Sequence, residues 1–489
     1  MNPTKIPRCH DRKVGKPGIG GDRLSFLSDR ILSRILSFLQ TKHAVGTAVL
    51  SRRWKNRWTR VSSLNLDNSL ATNGGTPSNQ ETRDLEFCRF VDRVLSEHQN
   101  LNSLRRFRFH FSLEHFKEEV SPDYWSKLEL AAEESELEEI DVSFDGFDRF
   151  RHLSGMRRLP AAFYALRNLK QLKLERVVIV VTEDGSVFLP SLQILELLYV
   201  ETMDCESLRR LISGCPILET AHLDNCYSNM DEKGTLTASL PYLKNLTIVG
   251  YTRKFFPIAI EAPSLEHLHI RYFLGFQWLG ISQMPYLVSA WVEGRISDGC
   301  LIGFLNQICN AKEMCLRWET LAPLAVANGD VQLPSFPNLT RLTIKSDGCR
   351  SSLLHSLLSS APKLQSLVID LEFDGKFSAK NWKSEPACTP KCLLYSLEEI
   401  EIQDFVIKKD DMKMVAYLLK VGAVLKKVNV YLFDDDIGRD KKGLLSLLKL
   451  PRRSRACKVQ TFLLGEEFYG DSNNDSDFDE SDDFEDSDE

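Results

Sequence analysis

Apolar positions recur along this chain in one local pattern, Leu-x-x-Φ-x-Φ with Φ apolar, first seen clearly at Leu104/Phe107/Phe109. Further copies begin at Leu137, Leu169, Leu192, Leu218, Leu243, Leu265, Leu287, Leu339, Leu364, Leu397 and Leu425, and a degenerate one, Ala311/Met314/Leu316, falls in the widest gap. Alternation at the last two positions predicts a short strand in each copy. Starts lie 22 to 33 residues apart, so the array is irregular. A lone strand of this kind leaves its apolar side in water, so successive coils must stack. The expected fold is therefore α/β, an irregular leucine-rich-repeat solenoid (a horseshoe) over residues 63–380 that continues through 381–465. Many copies follow a proline, as in Leu189-Pro190-Ser191-Leu192 and Ala361-Pro362-Lys363-Leu364.

Ahead of the array the pattern changes. Ser28 suits the N-cap of a helix running to Leu39, with Asp29 at its positive end. Ile31, Leu32, Ile35, Leu36 and Leu39 form its apolar stripe, and Leu27 and Phe38 widen it beyond one face. Thr41 is placed to cap a second helix with Val45, Ala48 and Val49 inward. Ser51 is placed to cap a third, on which Trp54 and Trp58 lie four apart. Three short helices in residues 22–62 carry more apolar side chains than they can shelter, which points to a partner surface. Asn68–Gln80 reads as loop, followed by an amphipathic helix with Phe87, Phe90, Val91, Val94 and Leu95 on one face.

Charge adds an asymmetry to the net −6. Residues 1–60 hold 14 Lys/Arg against 3 Asp/Glu, while residues 466–489 hold 13 acidic residues and no basic ones. The ends are therefore expected to be a disordered basic arm (1–21) and a disordered acidic tail (466–489). Ser472, Ser476 and Ser481 of the tail suit an acidophilic kinase. The arm lacks the apolar core of a secretory signal, and no apolar run reaches the roughly 20 residues of a membrane span. Nucleus or cytoplasm is the expected location, with the 12 cysteines as free thiols.

Three stretches resemble the plant F-box family that carries leucine-rich repeats and a C-terminal FBD region. The first is Asp22–Leu39 with Thr41-Lys42 and Val49–Trp58, similar to an F-box. The second is Phe90–Leu95, leading into the repeats. The third resembles FBD: Cys392–Ile402, Leu425–Val428, then Leu448 and Pro451–Cys457. The resemblance implies the substrate-recognition subunit of an SCF-type ubiquitin ligase. Its F-box would bind a Skp-type adaptor, and through it a cullin, by Leu27, Ile35, Leu36, Leu39, Val45, Leu50 and Trp54 or by residues supporting that face. Its repeats would bind a protein target. One departure stands out: the family commonly reads Leu-Pro where this chain has Leu27-Ser28. Two alternatives stay open. The chain is then a repeat-based binding scaffold with a weak F-box that acts without ubiquitin transfer, or a small-molecule sensor.

Catalytic motifs are missing from the text: no Gly-x-x-x-x-Gly-Lys-Ser/Thr, Gly-x-Ser-x-Gly or His-Glu-x-x-His occurs, so an enzyme is not expected. Cys388 and Cys392 form a single close pair with no completing ligands, so neither a metal nor another cofactor is expected. The basic run Arg52, Arg53, Lys55, Arg57 and Arg60 has no aromatic platform beside it, and nucleic acid is not an expected partner. Between the apolar positions of each repeat lie the residues expected to face the target. In mid-array these are His267, His269, Arg271, Trp291, Glu293, Arg341 and Lys345, rich in the Trp and Arg that anchor interfaces.

Overall fold

The computed structural model describes residues 27–68, 77–98, 103–112, 129, 136–145, 158–182, 185–202, 204–228, 235–250, 258–276, 283–296, 299–326, 333–345, 351–371, 388–407, 409–432 and 441–463. The arm and the acidic tail lie outside these. The chain divides into two compact units, 1–141 and 142–489, with the boundary inside the strand Glu139–Asp145.

In the first unit, helix α1 (Asp29–Leu36) opens on Ser28, whose Oγ accepts from the Ile31 N–H at 3.4 Å. Asp29 in the first turn holds Arg53 at 2.9 Å and Arg57 at 2.7 Å, and hydrogen bonding from Arg53 draws its carboxyl below the ordinary range. Arg53 also donates to the Leu27 carbonyl, so the turn entering the helix is tied from two sides. The helix is shorter than the sequence suggested. It closes at Ser37, and the Phe38 and Leu39 amides take tighter i→i+3 bonds to Ile35 and Leu36.

Helix α2 spans Thr41–Gly46. Thr41 does not cap it. Its side chain is buried, and its hydroxyl accepts from the Asn65 N–H at 2.8 Å, tying the helix to the strand Ser63–Asp67. The expected third α-helix is replaced by turns over 51–57 and a 3-10 turn at Trp58–Arg60. Successive i→i+3 closures, Trp54 to Ser51 and Arg57 to Trp54, bury both tryptophans while Arg53 and Arg57 reach Asp29. Tertiary packing here overrides local helical preference. Val49, expected inward, is 87% exposed.

The strand Ser63–Asp67 lies parallel to Arg106–Ser112, with Leu64 opposite Phe107 and Leu66 opposite Phe109. Val61/Leu64/Leu66 is thus a copy of the repeat pattern that begins before Leu104, with valine leading instead of leucine. The helix Pro77–Glu97 buries Val91, Val94 and Leu95, and Phe87 stacks on Phe111 with centroids 5.7 Å apart. His98, just past this helix, is buried with Nε2 3.1 Å from the Val61 carbonyl oxygen; burial holds its pKa below the usual value.

The second unit is a repeat array. From Gln171–Glu175 to Lys458–Leu463, twelve strands each pair in parallel with the next, and the pairings match the repeat positions. Leu172, Leu195, Ala221, Leu246, Leu268, Ala290, Met314, Leu342, Leu367, Ile400 and Val428 occupy one buried row across the sheet. The degenerate copy is therefore a true coil: Ala311, Met314 and Leu316 are buried, and Glu313–Arg317 takes its place between neighbours. A further strand, Lys458–Leu463, follows the last clear copy, with Val459 opposite Val428 and Thr461 opposite Val430.

The prolines have a common use. In Leu189–Leu192, Leu240–Leu243, Ala262–Leu265, Met284–Leu287 and Ala361–Leu364 the leucine amide bonds the carbonyl three residues back. Proline is second in each turn, where its fixed φ suits the geometry. At the other strand ends Arg176, Tyr199 and Asn225 take φ of 52°, 52° and 47°, and each amide bonds the next coil, to Leu198, Asp224 and Val249. Helices such as Cys205–Ser213, Ser351–Ser360 and Lys409–Val421 return the chain. The third ends at Gly422, where an added Cβ would run into the Leu425 side chain and the Leu418 carbonyl oxygen.

Candidate functional site

The first unit leaves large apolar side chains in water. Ile31, Ile35 and Leu39 on and just past α1 are 46%, 37% and 37% exposed, Phe38 73% and Leu50 61%. Ile31, Ile35 and Leu39 follow one another at four-residue steps. Of the residues singled out for adaptor contact, Ile35, Leu39 and Leu50 are exposed, Leu27 and Val45 half-buried, and Leu36 and Trp54 buried. The last two are core residues beneath the face. Ile31, Phe38 and Val49, outside the expected contact set, are exposed as well. Exposed cations (Arg30, Arg34, Lys42, Arg52, Lys55 and Arg60) belong to the same segment.

In the second unit strand register sorts the target-face residues into rows. His267 lies opposite Ser289, whose Oγ is 2.8 Å from its Nδ1, and the row continues through Glu313 to Arg341. His269 lies opposite Trp291 with ring centroids 6.2 Å apart, edge to face. Burial pushes the His269 imidazole below its ordinary pKa, so at neutral pH it is uncharged beside the indole.

Arg271 lies opposite Glu293, and Arg317 opposite Lys345. The Glu293 carboxylate accepts from Lys345 Nζ at 2.9 Å and has Arg271 Nε at 3.9 Å. Burial opposes its charge, but the Lys345 hydrogen bond and the fields of Lys345, Arg317 and Arg271 prevail, and its pKa falls below the usual value. Glu293, expected on the target face, is buried among these cations and holds them together. Trp291 at 43% exposure, His267 and Arg341 remain open, with Arg271 and Lys345 half-buried. Arg317, absent from the expected set, joins the cluster through its register opposite Lys345, on the coil with the degenerate motif.

The cysteines divide by burial. Cys215 and Cys226 thiols are pushed up to about 12 by burial, and Cys205 and Cys392 to about 11, which makes them inert packing groups. Cys388 is exposed while Cys392 is buried and donates to the Leu358 carbonyl, so the pair faces two different environments.

Residues 385–430 match the FBD family model, and residues 127–280 match the model for the LRR repeats of FBD-associated F-box protein At5g56370. Three relatives from Arabidopsis thaliana are similar over nearly their whole length. F-box/FBD/LRR-repeat protein At4g26340 is 29% identical over 452 residues, 90% of this chain and 99% of the relative. FBD-associated F-box protein At1g66310 is 29% identical over 458 residues, covering 90% and 95%. F-box/LRR-repeat protein 13 is 27% identical over 477 residues, covering 92% and 98%.

Proposed function

Because the chain belongs to the plant family of F-box/FBD/LRR-repeat proteins, we propose that it is the substrate-recognition subunit of an SCF-type ubiquitin ligase. The segment 22–62 binds a Skp-type adaptor and thereby a cullin, and the repeats hold a protein target in the nucleus or cytoplasm. The chain performs no chemistry itself. It raises the target's effective concentration beside the enzyme that transfers ubiquitin.

The observation that carries this reading is the exposure of Ile31, Ile35, Phe38, Leu39, Val49 and Leu50 within one short segment. Large apolar side chains grouped in this way mark an interaction surface. The cations of that segment suit a partner with acidic residues around an apolar groove. On the second unit, Trp291, His267 and Arg341 give the repeats an open anchor and polar contacts for the target.

Co-expression of the full chain with a Skp-type adaptor and a cullin tests the reading. A single complex should elute from gel filtration, and Ile35→Asp with Leu39→Asp should release the chain while leaving its thermal melt in place. Separate elution of the unmodified chain would sink the proposal.

A second reading, target binding without ubiquitin transfer, is favoured by Leu27-Ser28 where the family reads Leu-Pro. The Ser28 cap and the ties from Arg53 hold the helix entry without proline. An adaptor pull-down with and without Leu27→Asp separates the two.

A further inference from the structure

Within the array, charged side chains are matched coil to coil. Lys173 faces Glu196 on the next strand at 3.9 Å, Lys244 faces Glu219 at 2.9 Å, Lys345 faces Glu293 at 2.9 Å and Lys426 faces Glu398 at 2.7 Å. The last coil departs from this rule. It consists of the helix Lys441–Leu448, a turn, and the strand Lys458–Leu463. Residues 441–463 contain seven Lys/Arg and no Asp/Glu. Lys442, Lys449, Arg452, Arg453, Arg455 and Lys458 are all exposed, and among the described residues none has a carboxylate partner. Arg452 donates to the carbonyls of Leu448 and Cys457, and Arg453 to that of Val421.

The same coil is open in two further respects. Lys458–Leu463 pairs only with Lys427–Leu432 among the described strands, so its outer edge has no neighbour there. Such an edge invites pairing unless it is covered. Leu445 is 54% exposed and Phe462 38%, the latter stacked on Tyr431 at 5.0 Å.

The chain runs on from this strand into residues 466–489, with 13 acidic residues, no basic ones, and Phe468 and Tyr469 near their start. We propose that this acidic segment docks on the basic face of the last coil and acts as the cap of the repeat array. It supplies the carboxylates that a following coil would have supplied, and its first residues cover the open edge and the exposed Phe462. Tethering makes the encounter intramolecular, with an effective concentration on the order of millimolar for so short a connection. Terminal coils of repeat arrays need a polar cover of this kind. Phosphorylation at Ser472, Ser476 or Ser481 adds charge of the sign the face attracts, and so tightens the cap.

The test uses three full chains: the unmodified one, one with Asp475, Asp477, Asp479, Glu480, Asp482 and Asp483 changed to Asn or Gln, and that neutralised chain with Arg455→Glu and Lys458→Glu added. The probe is a fluorescent peptide of residues 466–489. It should bind the neutralised chain, lose about tenfold in affinity on moving from low salt to about 0.3 M, and bind the unmodified chain about tenfold more weakly because the site is already filled. Adding Arg455→Glu and Lys458→Glu should abolish binding; among the described residues their side chains make no hydrogen bond. Amide exchange across residues 458–463 should quicken in the neutralised chain. Equal peptide binding to unmodified and neutralised chains, or binding indifferent to the two charge reversals, would overturn the proposal. So would heparin binding the unmodified chain as tightly as the neutralised one, since the face would then be open to a foreign polyanion.

Discussion

Changing Phe38 and Leu50 to alanine removes two side chains that the first unit barely uses, since they are 73% and 61% exposed. Fully burying such a side chain is worth about 1.5–3 kcal/mol, so a partner covering the exposed fraction gains about 1–2 kcal/mol from each. The pair together accounts for about 2–4 kcal/mol, or roughly thirtyfold to several hundredfold in Kd. The cost to folding is far smaller, within about 0.5 kcal/mol for each, because little packing is lost. Leu36 on the same helix is 1% exposed and gives the contrast: Leu36→Ala should cost about 2–5 kcal/mol of stability by opening a cavity. Titration calorimetry of the full chain with a purified Skp-type adaptor, beside thermal melts, reads both quantities. A double variant whose Kd stays within about twofold would refute the reasoning, because exposed apolar area of this size cannot be central to an interface and contribute so little.

Trp291→Ala with Arg341→Ala should weaken target capture by at least about thirtyfold if either is an anchor, with the melt unchanged; quantitative capture from cells with the proteasome blocked measures it, and unchanged capture would move the target site off this face. Glu293 has a depressed pKa, so its contribution to stability is present above its ordinary value of 4.5 and is lost as pH falls through the lower folded value. Denaturant midpoints below pH 4.5 should therefore fall more steeply for the unmodified chain than for Glu293→Gln; parallel curves would show that the carboxylate is not held by Lys345. Gly422→Ala forces a methyl against Leu425 and the Leu418 carbonyl, and should lower stability by about 1–3 kcal/mol in chemical denaturation; a neutral result would place the helix end elsewhere.

Much of the array was legible because its strands need nothing but spacing. Each copy from Leu104/Phe107/Phe109 to Leu425/Val428/Val430 forms a strand with those three positions buried, including the copy led by Ala311. Two coils were overlooked for the same reason: Val61/Leu64/Leu66 begins with valine, and Lys458–Leu463 places Thr461 where an apolar residue was sought. The helical segment was harder. Ser28 and its helix followed local rules, but the fate of Thr41 depended on Asn65, and Trp54 and Trp58 came to be buried through turns where a regular helix was expected.

The sequence alone determined which positions turn inward along each strand, where proline starts many of the coils, and that more apolar surface exists near the N-terminus than short helices can hide. These follow from local periodicity and from backbone restrictions carried by single residues. Tertiary structure decided which charged residues meet. Glu293 draws its cations from three strands, Arg271, Arg317 and Lys345, that lie 22 to 52 residues away along the chain. Electrostatic matching depends on distance through space and on burial, and neither is fixed by any short stretch of chain. Only the assembled register could separate the glutamate that is enclosed from the tryptophan beside it that is left in water.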